Sequence, residues 1–240
     1  MKVLAIDTSS IVATCAILDD DKLLAEYILN QKMTHSQTIM PMIKEMLDSC
    51  NLKPEDIDVY AAAQGPGSFT GLRIGIATIK GLAHATNKSV IGVPTLDALA
   101  FNLPFSEGIV VPIMDARRDR VFTGIYKWSS GGLCMLMEQS VLEVDELIQI
   151  LKERSENIVF NGDGTLVYKD RLIKELGDRA IFAPKSTNMA RAASVAELAM
   201  AKATEGNTDD LFDLAPNYLR ESQAQREYNN RNSCCGVKNE

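Results

Sequence analysis

Residues 64–75 read Gln-Gly-Pro-Gly-Ser-Phe-Thr-Gly-Leu-Arg-Ile-Gly, and this stretch decides how the first half of the chain folds. It follows an apolar run at residues 59–63 that is typical of a buried strand. The Gly and Pro residues at positions 65–67 end that strand. Ser68 or Thr70 can then cap a helix that continues to about Ala85. A strand, a glycine turn and a helix N-terminus bring free backbone N–H groups together, which is one arrangement that binds anions. A tight strand–helix connection without a ligand uses the same glycines, and the spacing alone does not separate the two interpretations.

The helix predicted after this turn carries apolar or small side chains on two faces. The first face recurs at i, i+4, i+7 and i+11 and holds Leu72, Ile76, Ile79 and Ala83. The second face consists mostly of small residues: Gly71, Gly75, Thr78, Leu82 and Ala85. Small side chains let a second helix approach closely, so one face is expected to rest on this chain's own sheet and the other on another helix. Burial of both faces within this chain is the alternative, and the sequence does not decide which face points outward.

The preceding helix, predicted over residues 36–50, is also rich in apolar side chains. One stripe follows helical spacing: Ile39, Met42, Ile43, Met46, Leu47 and Cys50. Met33 and Met40 lie outside that stripe, and methionine is common on adaptable binding surfaces as well as in cores. The two helices are thus predicted to carry a surplus of apolar surface, which usually marks a partner.

The composition is that of a globular chain and argues against several classes of function. Of the 240 residues, 46% are hydrophobic and 24% are charged, and no apolar run approaches the roughly 20 residues that span a bilayer. The strand-like start at residues 2–7 has no signal-peptide pattern, so we expect a cytoplasmic location. The net charge of −7 argues against a protein that grips nucleic acid alone, because such proteins usually show a basic face. The dense basic cluster at residues 117–120 is interpreted as a solvated turn.

Cysteine and histidine are too sparse for a disulfide framework or a locally built metal site. The five cysteines are odd in number, scattered, and without a C-x-x-C pair. His35 and His84 are far apart in sequence, so no close histidine pair can hold zinc. The residues therefore predict no metal site and no catalytic constellation.

The order of the predicted elements is the same in both halves of the chain. The first half reads as strands 2–7, 11–18 and 22–29, helix 36–50, strand 58–63, the helix to 85, strand 89–93, and a helix with Thr95 as N-cap. The second half reads as strands 108–115, 120–127 and 133–141, helix 144–154, strand 157–160, helix 166–176, strand 179–182 and helix 188–204. This order, given twice, is that of a duplicated ribonuclease-H-like α/β fold, as in actin and sugar kinases. We place the two lobes, each with a mixed sheet flanked by helices, at residues 1–103 and 104–220, and interpret the Gln-, Asn- and Arg-rich residues 221–240 as a disordered tail.

In the actin-like architecture each lobe offers an aspartate at the end of its first strand, beside the ATP phosphates. Asp7, followed by Thr8 and Ser9, suits this role, whereas Asp115 is followed by an alanine and two bulky arginines. The candidate residues of a weak nucleotide site are Asp7, Thr8, Ser9, Gly65, Gly67, Ser68 and Asp115. An autonomous actin-like ATPase or phosphotransferase, and a module that binds a ligand in the cleft without chemistry, are the alternatives to a scaffold.

Several short blocks together resemble one bacterial family. They are Asp7-Thr8-Ser9, Thr34-His35-Ser36, residues 64–75, Pro94-Thr95-Leu96-Asp97, Asp115-Ala116-Arg117-Arg118 and Pro216-Asn217-Tyr218-Leu219-Arg220. Over residues 1 to about 220 the chain is similar to the TsaB family, formerly YeaZ, and the Gly-Pro-Gly-Ser-Phe-Thr-Gly-Leu-Arg block is the most specific part of the match. The resemblance implies a partner subunit in the formation of N6-threonylcarbamoyladenosine at position 37 of tRNAs that read ANN codons.

The resemblance also implies where the chemistry takes place. In that family catalysis belongs to a paralogue, TsaD, which carries a pair of metal-binding histidines and transfers the threonylcarbamoyl group to tRNA. Neither His35 nor His84 has a second histidine four residues away. The expectation is therefore a non-catalytic subunit that dimerises with TsaD and activates it, without a cofactor of its own. Weak binding of ATP or ADP is expected in its own cleft or at the junction with TsaD.

The partners implied by the resemblance are TsaD, the small ATPase TsaE, tRNA only through the complex, and a second copy when the protein is alone. The family pairs through a bundle of the first two helices of the N-terminal lobe, and these are the two helices singled out above. The predicted interface residues are Ile39, Met42, Ile43, Met46, Gly71, Leu72, Arg73, Gly75, Ile76 and Ile79.

Overall fold

The computed structural model describes residues 1–219, which form two five-stranded sheets with helices on their faces. The first half contains β1 (Lys2–Asp7), β2 (Ala13–Asp19), β3 (Lys22–Leu29), α1 (His35–Ser49), β4 (Val59–Gly65), α2 (Phe69–Thr86), β5 (Ser89–Pro94) and α3 (Thr95–Phe101). The second half contains β6 (Ile109–Asp115), β7 (Arg120–Ser129), β8 (Gly132–Glu143), α4 (Val144–Lys152), β9 (Ile158–Asn161), α5 (Thr165–Leu176), β10 (Ala180–Phe182) and α6 (Ala192–Thr204).

Both sheets have the same topology, which confirms the predicted duplicated α/β fold. The strand orders are β3-β2-β1-β4-β5 and β10-β9-β6-β7-β8. In each sheet the first three strands form an antiparallel meander, and the last two run parallel to the first strand. Parallel strands need crossover connections, and the helices after β4 and β9 supply them. In both sheets the first strand and the two strands parallel to it point in the same direction. Their carboxyl ends, and the loops that follow them, therefore lie at the same edge of the sheet.

The first sheet is covered by helices on both of its faces. Leu4 of β1 packs with Ile43 of α1 and Ile79 of α2 on one face. The next residue, Ala5, packs with Val195 of α6 on the opposite face, as the alternation of side chains along a strand requires. Helices α1 and α2 therefore share one side of this lobe and α6 occupies the other.

The second sheet is covered by α4 and α5 on one face, where Leu147 and Leu172 pack on Ile113 of β6. Its other face meets α3, whose Leu99 packs against Met114 of the same strand. Because α3 also contacts β4 and β5, it joins the two lobes.

The predicted boundary between residues 103 and 104 separates the two sheets but not all of the helices. The prediction assigns α6 to the second lobe, whereas the structure packs α6 on the first sheet. At the start of α6, Arg191 forms an ion pair with Glu26 of β3, and the same carboxylate accepts a hydrogen bond from the N–H of Ala193 (3.0 Å). A negative charge is favourable at a helix N-terminus. The chain thus returns to the first lobe after β10, while the predicted tail at residues 221–240 lies outside the described residues.

Residues 209–219, here called the C-terminal strap, run along α2 from β5 to the glycine turn. At one end the carboxylate of Asp209 accepts a hydrogen bond from the N–H of Gly92 (2.6 Å). At the other end the N–H of Asn217 donates to the carbonyl oxygen of Gln64 (2.6 Å). Within residues 1–219, no helix has both the length and the apolar character needed to cross a membrane.

Candidate functional site

The glycine turn between β4 and α2 has the local structure that the sequence predicts at its helix end. Ser68 is the N-cap of α2, and its hydroxyl accepts a hydrogen bond from the N–H of Gly71 (3.2 Å). Gly65 has φ of +117°, a conformation that favours glycine. The prediction that Thr95 caps α3 is wrong, because Pro94 occupies that position. The Thr95 hydroxyl instead accepts a hydrogen bond from the N–H of Gly65 (3.1 Å) and so holds the turn against the next strand–helix connection.

The glycines of this motif are needed because the start of α2 lies directly on the loop that follows β1. A Cβ atom at Gly71 would clash with the carbonyl oxygen of Thr8, and one at Gly75 would clash with the hydroxyl of Thr8. That hydroxyl donates to the carbonyl oxygen of Gly71 (2.8 Å), and the N–H of Ser68 donates to the carbonyl oxygen of Ser9 (2.6 Å). The motif therefore serves close packing within the chain, and its N–H group at Ser68 is not free for an anion.

Asp7 lies at the end of β1 with only 1% of its surface exposed. One carboxylate oxygen accepts a hydrogen bond from the N–H of Ser9 (2.8 Å), while Oδ2 has no hydrogen-bond partner within the described residues. Burial raises the pKa of Asp7 above its ordinary value, because the charged form loses its hydration. The neighbouring Ser9 is also buried, so this first loop does not present an open carboxylate to the cleft.

The second loop, after β6, is likewise closed by hydrogen bonds within the chain. The N–H of Asp115 donates to Asp163 (3.0 Å), and the N–H of Arg117 donates to Asp115 (2.9 Å). Burial raises the pKa of Asp163, which sits in the turn before α5. Because the glycines on both sides of Asp163 lack a Cβ atom, the turn can pack directly against the carbonyl oxygen of Ile113.

Between the two lobes lies a cleft of about 580 Å³. Its lining includes Ser9, Asp115, Asp163, Arg117 and Phe69. A bound nucleoside triphosphate needs free backbone N–H groups or cations around its phosphates. Here the N–H groups of Ser9, Asp115 and Arg117 are bonded within the chain. Two carboxylates line the cleft, and the Arg117 guanidinium is paired with the carboxylate of Asp115 (Nε–Oδ2, 3.7 Å). These residues fit a polyphosphate poorly, and no group of three or more His, Cys, Asp or Glu side chains within residues 1–219 is arranged to hold a metal ion.

The predicted interface residues are placed differently from the expectation. Eight of the ten are buried within this chain: Ile39, Ile43, Met46, Gly71, Leu72, Gly75, Ile76 and Ile79. Met42 is half-buried and Arg73 is exposed. This corrects the assignment of individual residues, because side chains that form the core of this lobe cannot also contact a second molecule.

The exposed side of α2 is a third stripe, which shares only Ala85 with the two predicted faces. Apart from one isoleucine it consists of small side chains at helical spacing, and it is here called the outer stripe: Thr70, Ile74, Ala77, Gly81 and Ala85. All are exposed except Ile74, which is half-buried. A Cβ atom at Gly81 would meet nothing within 4 Å, so the packing of this chain does not require a glycine there. Sequence reasoning missed Gly81, although a third glycine on a helix of 18 residues is a visible signal.

The only exposed member of the predicted interface, Arg73, is held by the C-terminal strap. Its guanidinium lies 4.1 Å from the ring centre of Phe69, and its Nε donates a hydrogen bond to the hydroxyl of Tyr218 (2.8 Å). The rings of Phe69 and Tyr218 stack with their centres 4.3 Å apart. This cation–π cluster fastens the strap to the first turn of α2 at the entrance of the cleft.

Two glycine substitutions in α2 are expected to change stability in opposite directions. Gly71→Ala should lower the free energy of unfolding by about 1–3 kcal/mol, because its Cβ must displace the backbone of Thr8. Gly81→Ala should raise it by about 0.5–1 kcal/mol, because alanine restricts the unfolded chain and meets no neighbour. Urea denaturation of both variants measures the difference. Destabilisation by Gly81→Ala would show that the exposed position is constrained within this chain.

The comparisons with known proteins gave related matches, each over most of this chain. The family model described as "TsaD: tRNA N6-adenosine threonylcarbamoyltransferase" matches residues 22–228. The tRNA threonylcarbamoyladenosine biosynthesis protein TsaB of Bacillus subtilis is 32% identical, over 95% of this chain and 98% of that protein. TsaB of Escherichia coli is 31% identical, over 93% and 96%. A crystal structure from Pseudomonas aeruginosa, described as similar to peptidase YEAZ, superposes with a TM-score of 0.79 at 26% identity and covers 91% of this chain and 99% of that one.

Proposed function

This chain belongs to the TsaB family of tRNA threonylcarbamoyladenosine biosynthesis proteins, and from that premise we propose that it is a non-catalytic subunit that pairs with TsaD and activates it. The pathway makes a modified adenosine in tRNA. The family model that matches this chain is named after TsaD, the threonylcarbamoyltransferase. In this proposal TsaD carries out the transfer, and the present chain supplies a docking surface on α1 and α2. The observation that carries the proposal is the exposed Gly81 in the outer stripe.

Gly81 supports docking by a helix for an energetic reason. A helix with glycine at an interior position is less stable by roughly 0.5–1 kcal/mol than the same helix with alanine there. At buried helix positions this cost is offset by packing, but Gly81 has no neighbour within this chain that would exclude a methyl group. Glycine and alanine on an exposed stripe allow the backbone of a second helix to approach closely. Met40 and Pro41 of α1, a helix that contacts α2, are also exposed.

The similarity to TsaD supports a partner of the same fold. Because a family model for TsaD matches residues 22–228, the enzyme and this chain are related over most of this chain's length. Related chains can pair through equivalent helices about an approximate two-fold axis, as identical chains do about an exact one. The same surface would then serve a homodimer when the protein is alone and a heterodimer when TsaD is present.

The closed loops of the cleft support a subunit that needs no cofactor. The carboxylate of Asp7 is buried, and Asp115 and Asp163 are tied to each other through a backbone hydrogen bond. Any weak site for ATP or ADP is therefore proposed at the junction with TsaD rather than in this chain's own cleft. With a net charge of −7 this chain is proposed to meet tRNA only through the cytoplasmic complex, in which TsaE is a further partner by family resemblance.

Reconstitution with purified proteins tests the proposal. Light scattering should give the mass of a heterodimer when this chain is mixed with TsaD, and threonylcarbamoyl transfer to tRNA should require both proteins. A mixture that runs as separate monomers, or full transfer by TsaD without this chain, would contradict the proposal.

An autonomous ATPase is the second candidate function, because Asp7 and Asp115 end the first strands of two lobes that face one cleft. It requires the purified chain to hydrolyse ATP with Mg²⁺ in the absence of TsaD. Turnover no higher than in a buffer blank would exclude it.

A further inference from the structure

The C-terminal strap presents one large apolar side chain to solvent between two that are turned inward. Leu211 packs against the core beneath α1 and α2, and Leu214 is buried, whereas Phe212 is 76% exposed. The carboxylate of Asp210 accepts hydrogen bonds from the N–H groups of Phe212 (2.7 Å) and Asp213 (3.1 Å). The turn is therefore fixed by hydrogen bonds and by two anchors on either side of the exposed ring.

Helix α2 fixes the position of this turn. The ammonium of Lys80 donates hydrogen bonds to the carbonyl oxygens of Phe212 (2.9 Å) and Leu214 (3.1 Å). The ring of His84 meets that of Phe212 edge-on, with 6.3 Å between the ring centres. Lys80 and His84 are one turn apart on the same side of α2. The exposed ring thus stands along the helix at the level of its fourth and fifth turns.

This position borders the outer stripe. Ala77 lies three residues before Lys80, and Gly81 lies three residues before His84, so each is a surface neighbour of the residue that holds the strap. A helix laid along the outer stripe would have the small side chains of α2 beneath it and the ring of Phe212 at its flank. The strap and α2 together form one continuous surface.

We infer that Phe212 is an anchor of the docking surface and that it packs against an apolar patch on the helix that TsaD places along the outer stripe. This inference rests on the proposed function and adds the strap to it. A large aromatic ring that is already held in place loses little conformational freedom on binding. Aromatic side chains in such positions dominate the binding energy of interfaces. The occupant is assigned as TsaD because the ring is continuous with the stripe proposed to receive that enzyme.

The chain offers a matched control for the test. Phe105 is 79% exposed, nearly the same as Phe212, but it lies in the link to the second lobe beside Trp128. Phe212→Ala and Phe105→Ala therefore remove the same side chain from two exposed positions. The affinity of each variant for TsaD is measured by calorimetry, and the mass of each variant alone by light scattering. Thermal melts of both variants verify that the fold is retained.

Phe212→Ala is expected to weaken binding to TsaD by about 30-fold, and Phe105→Ala to leave it unchanged. Equal affinities of the Phe212→Ala variant and the unmodified chain would overturn the inference. A loss confined to self-association would overturn the assignment of the occupant. If Phe212→Ala has no effect while a substitution within the outer stripe abolishes binding, the inference fails and the proposed function stands.

Discussion

Gly81→Arg is expected to abolish the association of this chain with TsaD while leaving the chain folded. The position opens to solvent, so a long side chain can extend there without meeting this chain. Helices that pack through small residues lie about 8–10 Å apart, which leaves no room for an arginine between them. The affinity should fall at least about 100-fold, and threonylcarbamoyl transfer in the reconstituted mixture should fall with it. Calorimetry and a tRNA modification assay measure the two effects.

Ala201→Arg is the matched control for this substitution. Ala201 is also a small, exposed helical residue, but it lies on α6, which covers the opposite face of the first sheet. Both changes place the same charge and volume on a helix of the same lobe. Unaltered binding by the Gly81→Arg variant, or an equal loss with Ala201→Arg, would remove α2 from the proposed docking surface.

The sequence alone suggests a different residue for this test, and the structure explains why it is unsuitable. Gly75 belongs to a stripe of small residues, so it is expected to face a partner helix. In the structure Gly75 faces the hydroxyl of Thr8, and an arginine there would disrupt the packing of α2 on the first loop. A loss of binding by that variant would report misfolding. Helical periodicity identifies stripes of small residues, but the choice of the outward stripe depends on a contact with a residue far away in the sequence.

Local signals account for what the sequence predicts well. The order of strands and helices, and the cap at Ser68, depend on hydrophobic periodicity and on hydrogen bonds within a few residues. The return of α6 to the first sheet involves apolar packing on distant strands and the pair Glu26–Arg191, which joins residues 165 positions apart. The strap is held on α2 through Lys80 in the same way, by bonds to carbonyl groups more than 130 positions later. No local pattern encodes these contacts, so the position of Phe212 beside Lys80 and His84 of α2 is recognised only in the folded chain.

Asp7→Asn is expected to stabilise the isolated chain at neutral pH. The carboxylate is buried, its Oδ2 has no partner within the described residues, and burial raises its pKa. An asparagine keeps the acceptor for the N–H of Ser9 and removes the buried charge. Between the ordinary pKa of 3.8 and the raised pKa of the folded chain, the folded state binds one more proton than the unfolded state. The free energy of unfolding must therefore fall as the pH rises through this window, by about 1.4 kcal/mol per pH unit.

Urea denaturation of the two proteins at a series of pH values measures this effect. The stability of the Asp7→Asn variant relative to the unmodified chain should be near zero or negative below the window, rise through it, and remain positive at pH 7. A relative stability that does not change with pH would contradict the raised pKa of Asp7.

The same variant separates the two candidate functions, because a carboxylate that governs Mg²⁺ and water in an ATPase cannot be replaced by an amide without loss of turnover. In a subunit that acts through its helical surface, by contrast, Asp7→Asn should leave TsaD binding and tRNA modification intact, since Asp7 is buried at the end of β1 and makes no part of the exposed face of α2.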